Sequence, residues 1–232
     1  VSGDTDVASG PLRRAAPETC LAASAALHER DGYTVVAHYG SVHGEIAVCM
    51  KSVGLADRSD YGVLELRGDR ELLDRALSAR LGDPPLAVRS GRRLRSVWFL
   101  RLDTRHTLLV GPHAALASGP AIGRGRDRSD LPHRDIGASL AIVALVGPRA
   151  ARLLDAAGLP GDLAIGAIGG DAADSDVVAI LREGQRSYLA LIRAGAADAF
   201  WARLLTAGEP LGAAFVGYDA LTLLNASSAA AG

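Results

Sequence analysis

The chain has 232 residues, of which 49% are hydrophobic and 22% charged, and its formal net charge is −1. This is the profile of a folded globular protein, long enough for one large domain or two small ones and for a sizeable core without disulfide staples. It excludes a broadly basic nucleic-acid-binding surface. The longest unbroken apolar run, Leu140 to Val146, is too short to span a bilayer.

Asp4 and Asp6 interrupt any basic-then-apolar leader pattern. The two cysteines, Cys20 and Cys49, are too few for a disulfide framework, so a cytoplasmic protein is expected. Lys51 is the single lysine among 25 basic residues. With the heavy Ala and Gly usage, this reads as drift in a GC-rich bacterial genome, not as a functional arginine surface.

In chain order, residues 1–17 are small, polar and Pro-containing and read as a frayed arm. A helix is expected over 18–30, and a second over 43–53, where Ile46, Cys49, Met50 and Val53 form an apolar stripe ended by Gly54. Gly62–Gly68 reads as a strand with Leu64 and Leu66 on one face. A helix follows with Asp69 as N-cap and Leu72, Leu73, Ala76, Leu77 and Leu81 as its stripe. Two strands, 97–102 and 107–110, are joined by the turn Asp103–His106. The alternating charges of 123–136 read as a solvated linker, with an anion-binding loop as the sharper alternative. Strand Leu140–Val146 ends at Gly147, and Pro148 opens a helix to Ala157. Gly166–Gly170 reads as a turn. Strands 177–182 and 187–193 are joined by Glu183–Arg186, and a helix over 196–207 carries Phe200, Trp201, Leu204 and Leu205. Residues 227–232 read as a tail.

The second half repeats the order of the first. Leu64-Glu-Leu-Arg-Gly68 before Leu72-Leu73-Asp74 resembles Ala144-Leu-Val-Gly147 before Leu153-Leu154-Asp155, and Gly68 and Gly147 lie 79 positions apart. Two strand–helix–strand–strand–helix units are inferred, over 18–122 and 137–226, each packing its helices on one face of an antiparallel or mixed sheet: an α+β fold.

Familiar catalytic signatures are missing. There is no G-x-S-x-G elbow and no phosphate-binding P-loop. The six histidines include no H-E-x-x-H pair and the cysteines no C-x-x-C, so no metal site is assigned. Periodicity alone leaves the function open.

His38-Tyr-Gly-Ser-Val-His-Gly-Glu45, then Val53-Gly-Leu-Ala-Asp57-Arg-Ser59 and Leu64–Gly68, resembles the N-terminal signature of the aminomethyltransferase (glycine-cleavage T-protein) family. Gly147-Pro148, Phe200-Trp201, Gly208 and Gly217 extend the likeness over residues 30–226. The resemblance implies a central funnel for tetrahydrofolate and transfer of a one-carbon unit. It also implies a C-terminal β-barrel for which this chain, ending soon after Asn225, has no room. A protein partner or a second copy would then cover the open side.

The departures are as informative. The place of the family's catalytic aspartate holds Arg95-Ser96, and a serine is a poor general base. The family's pterin-holding glutamate falls in a contracted link, with Glu183 as the nearest substitute. The family's later arginine and glutamate appear as Leu223 and Asn225. Each lost charged contact costs roughly 1–3 kcal/mol, so standard aminomethyl transfer is not expected and tetrahydrofolate is a doubtful cofactor.

Ser96 and Tyr61 are the catalytic candidates. Tyr61, Asp57, Arg95, Trp98, Glu183 and Tyr188 are the ligand-binding ones. Tyr61 could stack on a flat heterocycle or be an ordinary half-buried tyrosine. Asp57 and Ser59 could serve the site or only hold a turn. Trp98 and Tyr188 could face the funnel or fill the core, and Glu45 could brace the loop. Three functions stand: a repurposed small-molecule enzyme in a specialised bacterial pathway, a non-catalytic small subunit of a larger oxidase or transferase, and a folate-dependent one-carbon transferase with altered contacts.

Overall fold

Side-chain alternation along the strands decides the architecture. The structure, a computed structural model, describes residues 25–30, 32–118, 133–170 and 176–230. In chain order its elements are β1 (Ala26–Arg30), β2 (Tyr33–His38), α1 (Val42–Lys51), β3 (Val53–Asp57), β4 (Tyr61–Arg67), α2 (Arg70–Leu81), β5 (Ser90–Leu94), β6 (Val97–Arg101), β7 (His106–Pro112), α3 (His113–Ala117), β8 (His133–Asp135), β9 (Leu140–Val146), α4 (Ala150–Ala156), β10 (Ile168–Gly169), β11 (Val177–Gly184), β12 (Ser187–Arg193), α5 (Ala197–Gly208), β13 (Ala213–Phe215) and α6 (Tyr218–Ala230).

Apart from the hairpin β1-β2, the strands form two sheets, ordered β5-β6-β7-β4-β8 and β10-β11-β12-β9-β3-β13. Every pairing is antiparallel except β13 with β3. Trp98, Leu100, Leu108 and Val110 from one sheet share a buried cluster with Ile142, Ala144, Leu181, Leu189 and Leu191 from the other. The intervening residues face outward to helices. Phe99 and Leu109 meet Leu73 and Leu77 of α2, while Val143, Leu145 and Tyr188 meet Leu153, Leu154, Phe200 and Trp201 of α4 and α5. The result is helix–sheet–sheet–helix, with strands apolar on both faces. At one edge the sheets join: Gly91 N donates to Gly166 O at 2.6 Å and Ile168 N to Arg89 O at 3.0 Å.

The repeat is visible in the topology. Strands β4, β5, β6 and β7 adopt the order β5-β6-β7-β4, and β9 to β12 adopt the matching order β10-β11-β12-β9. The sheets nevertheless exchange elements between the halves. β3 and β13 both join the second sheet, and β8, from the stretch read as a linker, pairs with β4.

Several expectations are corrected. The helix expected over 18–30 fails where it is described: Ala26–Arg30 is a strand held by β2; 18–24 and the arm 1–17 lie outside the described residues. In α1 Met50 is 55% exposed whereas Glu45 is only 6% exposed. The helix has rotated to bury a carboxylate, which accepts N–H bonds from Tyr39 at 2.6 Å and Gly217 at 2.7 Å. Gly54 does not stop the helix but lies in β3, where a Cβ would come within 2.6 Å of Cys49 Sγ and 2.8 Å of Val216. Ile168–Gly169, read as turn, forms β10; most of the linker 123–136, residues 123–132, lies outside the described residues; and α6 continues through Ala230 where a tail was expected.

The arginines find structural work at helix C-termini, whose last carbonyls have no partner within the helix. Arg92 donates to Leu81 O and Gly82 O at the end of α2, and Arg203 to Ala157 O and Gly158 O at the end of α4. Among the described residues no helix is long and apolar enough to cross a membrane.

Candidate functional site

The loop 58–60 carries the chain from β3 in one sheet to β4 in the other, so its side chains lie at the seam between the two layers. Asp57 ends β3, and both its carboxylate oxygens are taken by Ser59. The Ser59 N–H donates to Oδ1 and its hydroxyl to Oδ2, each at 3.0 Å, the local bonding for which Asp and Ser are suited in turns. Burial pushes the Asp57 carboxyl up to about 6, with the Ser59 hydroxyl opposing the shift.

Arg58 folds back on this loop. Its Nε and Nη2 donate to the two oxygens of Asp60 at 2.8 and 2.9 Å, a bidentate fork. Its guanidinium carbon lies 3.6 Å from the Tyr61 ring centroid, in cation–π range. The Tyr61 N–H donates to Arg58 O at 2.9 Å and closes the turn. Burial opposes the Arg58 charge, but the Asp60 bonds more than restore it. Burial raises the Tyr61 hydroxyl, and the Arg58 charge offsets part of that shift. The Asp60 fork uses Nε and Nη2 and leaves Nη1 outside it.

Arg58, Ser59 and Tyr61 line a cleft of about 390 Å³, together with Tyr33, His113 and Asp135 and an apolar wall of Leu140, Ala141, Ile142, Ala194 and Ala197. Tyr33 and His113 stack face to face, with centroids 3.6 Å apart and planes 5° apart. His113 Nε2 lies 3.2 Å from Ser59 O, so that nitrogen carries the proton. The volume suits a small organic molecule. Among the described residues no group of three or more His, Cys, Asp and Glu side chains could hold a metal ion.

The structure brings four of the expected residues to this seam. Asp57 and Tyr61 adjoin Arg58. Glu183, on β11, accepts a bond from Trp98 Nε1 on β6 at 2.8 Å, linking the two sheets. Burial raises the Glu183 carboxyl, and Arg58 and the Trp98 N–H draw it partly back. The link expected over Glu183–Arg186 is shorter than its sequence suggests, because Glu183 and Gly184 still belong to β11.

The other three lie elsewhere. Arg95 and Ser96 form the two-residue turn of the β5-β6 hairpin, with Arg95 at φ 55° and its carbonyl accepting from Arg93 Nε at 2.9 Å; neither lines the cleft. Tyr188 faces the opposite side of its sheet, 1% exposed among the helix-facing residues, with its hydroxyl donating to Gly161 O at 2.7 Å. It is a core residue because its β12 neighbours Leu189 and Leu191 take the inter-sheet face. Sequence reasoning missed Arg58, Asp60, Tyr33, His113 and Asp135. The alternating charges of Asp57-Arg58-Ser59-Asp60 were the only local signal, since Tyr33, His113 and Asp135 arrive from three separate elements.

No protein-family model matches the sequence, and no curated protein is significantly similar to it in sequence. Solved structures do match. The glycine cleavage system aminomethyltransferase T from Bartonella henselae superposes with a TM-score of 0.70 at 23% identity, over 88% of this chain and 58% of that enzyme. One chain of the heterotetrameric sarcosine oxidase from Corynebacterium sp. U-96 superposes with a TM-score of 0.58 at 22% identity, over 75% of this chain and 93% of that one. The present chain thus spans 58% of the length of the aminomethyltransferase, and it has that protein's α+β fold, with neither of its two sheets closed into a barrel.

Proposed function

We propose that this chain is a divergent enzyme on the aminomethyltransferase scaffold, binding a small molecule in the cleft beside Tyr61 and Arg58, in the cytoplasm of a bacterium and in a specialised pathway. The observation that carries this reading is the Arg58 guanidinium. It is stacked on Tyr61 and paired with Asp60 through Nε and Nη2, with Nη1 outside that pair, at the wall of a ligand-sized cleft. Asp57 and Ser59 fix the loop that presents it. Tyr61 offers a hydroxyl and Glu183 a carboxyl at the inter-sheet seam, held by Trp98. Aminomethyl transfer is not part of the proposal, because the hairpin tip at Arg95 and Ser96 offers no carboxylate to a developing cation.

Calorimetry with tetrahydrofolate and 5,10-methylenetetrahydrofolate, alongside a metabolite panel, tests the reading. A ligand is expected from the panel, bound at least about tenfold more weakly by Tyr61→Ala, a loss of about 1.4 kcal/mol. Ser96→Ala, on the hairpin tip, is expected to bind as the native chain does. Undiminished binding by Tyr61→Ala removes the site, and tight binding of either folate restores a one-carbon transferase with altered contacts. A second reading, a non-catalytic subunit, is favoured by the 93% coverage of one chain of a heterotetrameric enzyme. A stable stoichiometric complex with a neighbour-encoded protein, together with no small-molecule binding, would establish it instead.

A further inference from the structure

The polar groups around the cleft differ in what they have left to give. Both Asp57 oxygens accept from Ser59, and both Asp60 oxygens accept from Arg58. Asp135 lies at the exposed rim, where Oδ1 accepts from Gly137 N at 2.8 Å. Asp57 and Asp60 are therefore spent on the protein's own loop. Arg58 differs: Nε and Nη2 are committed to Asp60, Nη1 lies outside that fork, and the side chain, 11% exposed, lines the cleft. A cationic ligand would find Asp57 and Asp60 already paired, whereas an anionic group would meet the charged Arg58 at the cleft wall. The rest of the wall is flat or apolar, formed by the stacked Tyr33 and His113 rings and by Leu140, Ala141 and Ile142.

Resting on the small-molecule reading above, we infer that the cleft takes a planar aromatic or heteroaromatic monoanion, with its carboxylate or equivalent oxyanion on Arg58 Nη1 and its ring against the Tyr33–His113 side. Arg58 is then the residue that selects for charge. Asp60 holds the guanidinium in place and neutralises enough of its charge for it to remain stable when no ligand is bound. The Tyr61 ring fixes the guanidinium plane.

The test uses a matched pair of probes, 2-naphthoate and 2-naphthamide, which share a ring system and differ in charge. Calorimetric titration of the native chain is expected to give at least about tenfold tighter binding of the acid, the worth of one charge-assisted hydrogen bond. Because Arg58→Gln alone would strand a buried Asp60, the variant is the double substitution R58Q/D60N, checked for a native circular dichroism spectrum. It is expected to bind acid and amide within about twofold of each other. Equal binding of the two probes by the native chain overturns the anion assignment and leaves the small-molecule reading standing. Unchanged selectivity in R58Q/D60N overturns the assignment to Arg58. Failure of both probes, with no ligand found in the metabolite panel, removes the small-molecule reading as well.

Discussion

The two repeats share a strand order and differ in what they bury beneath their helices. In the second, α4 and the 12-residue α5 cover the sheet, and the space is filled by Phe200, Trp201, Leu204 and Tyr188, whose one polar atom is paired. In the first, among the described residues, α2 is joined by the five-residue α3. There the end of β6 carries Arg101, 1% exposed, with Nη2 on Thr104 O at 2.6 Å and Asp74 at 3.1 Å, while its Nε and Nη1 find no hydrogen-bond partner among the described residues. One topology therefore tolerates two kinds of outer core. Strand order depends on which faces are apolar, whereas the quality of packing depends on how much helix lies over each face.

That contrast can be broken by experiment. Trp201→Ala should cost about 3–5 kcal/mol, since it empties a fully buried site in the better-covered repeat. Arg101→Met should change stability by only about 1 kcal/mol in either direction, because it replaces a poorly satisfied buried charge with an apolar chain of similar length. It leaves Thr104 exposed to water and Asp74 still beside Arg70. Urea unfolding of both variants decides the matter, and an Arg101→Met cost equal to that of Trp201→Ala would remove the distinction between the repeats.

The seam between the repeats titrates in its own way. The Asp57 carboxyl sits at about 6 in the folded chain against an ordinary 3.8, so folding favours its protonated form. Its contribution is present in full below pH 3.8 and is lost as pH rises through about 6, a change of roughly 3 kcal/mol. Asp57→Asn cannot ionise. Relative to the native chain, its stability should therefore rise by about that amount between pH 4 and pH 7, whatever its constant offset. A pH-independent difference between the two unfolding curves would show that Asp57 is not buried in this manner.

The smallest effect separates core from cleft. Tyr188→Phe removes one buried hydrogen bond and should cost about 1 kcal/mol while leaving ligand titrations unchanged. A loss of ligand affinity in that variant would put Tyr188 back among the binding residues.

Elements with unbroken periodicity were legible from the sequence: β4, α2, β6 and β7, β9, β11 and β12, and α5 all lie where alternation or a helical stripe places them. Those with less than a full pattern were not. Ala26–Arg30 is rich in helix-favouring residues and is a strand only because β2 pairs with it. β8, β10 and β13 have three residues or fewer, too short for any period. Of the residues lining the cleft, Tyr61 was named from the sequence, while Asp57, Trp98 and Glu183 lie at the seam beside it. Arg58 was not, because an arginine between two polar residues reads as solvated until a fold closes over it. Gly68 and Gly147 read as equivalents, yet Gly147 alone adopts a positive φ, 145°, and a Cβ there would lie 2.2 Å from Ser52 O.

The sequence by itself determined the α+β class, the duplication and most of the strands, because those depend on spacing along a few residues and on burial that repeats with a fixed period. Tertiary structure decided the rest. It decided which sheet receives β3, which face of β12 carries Tyr188, that α1 turns Glu45 inward to hold two backbone N–H groups, and that Arg58 becomes the charged wall of a cleft. Each depends on contacts between segments tens of residues apart, where the cost of burying a polar group is set by a partner that no local pattern names.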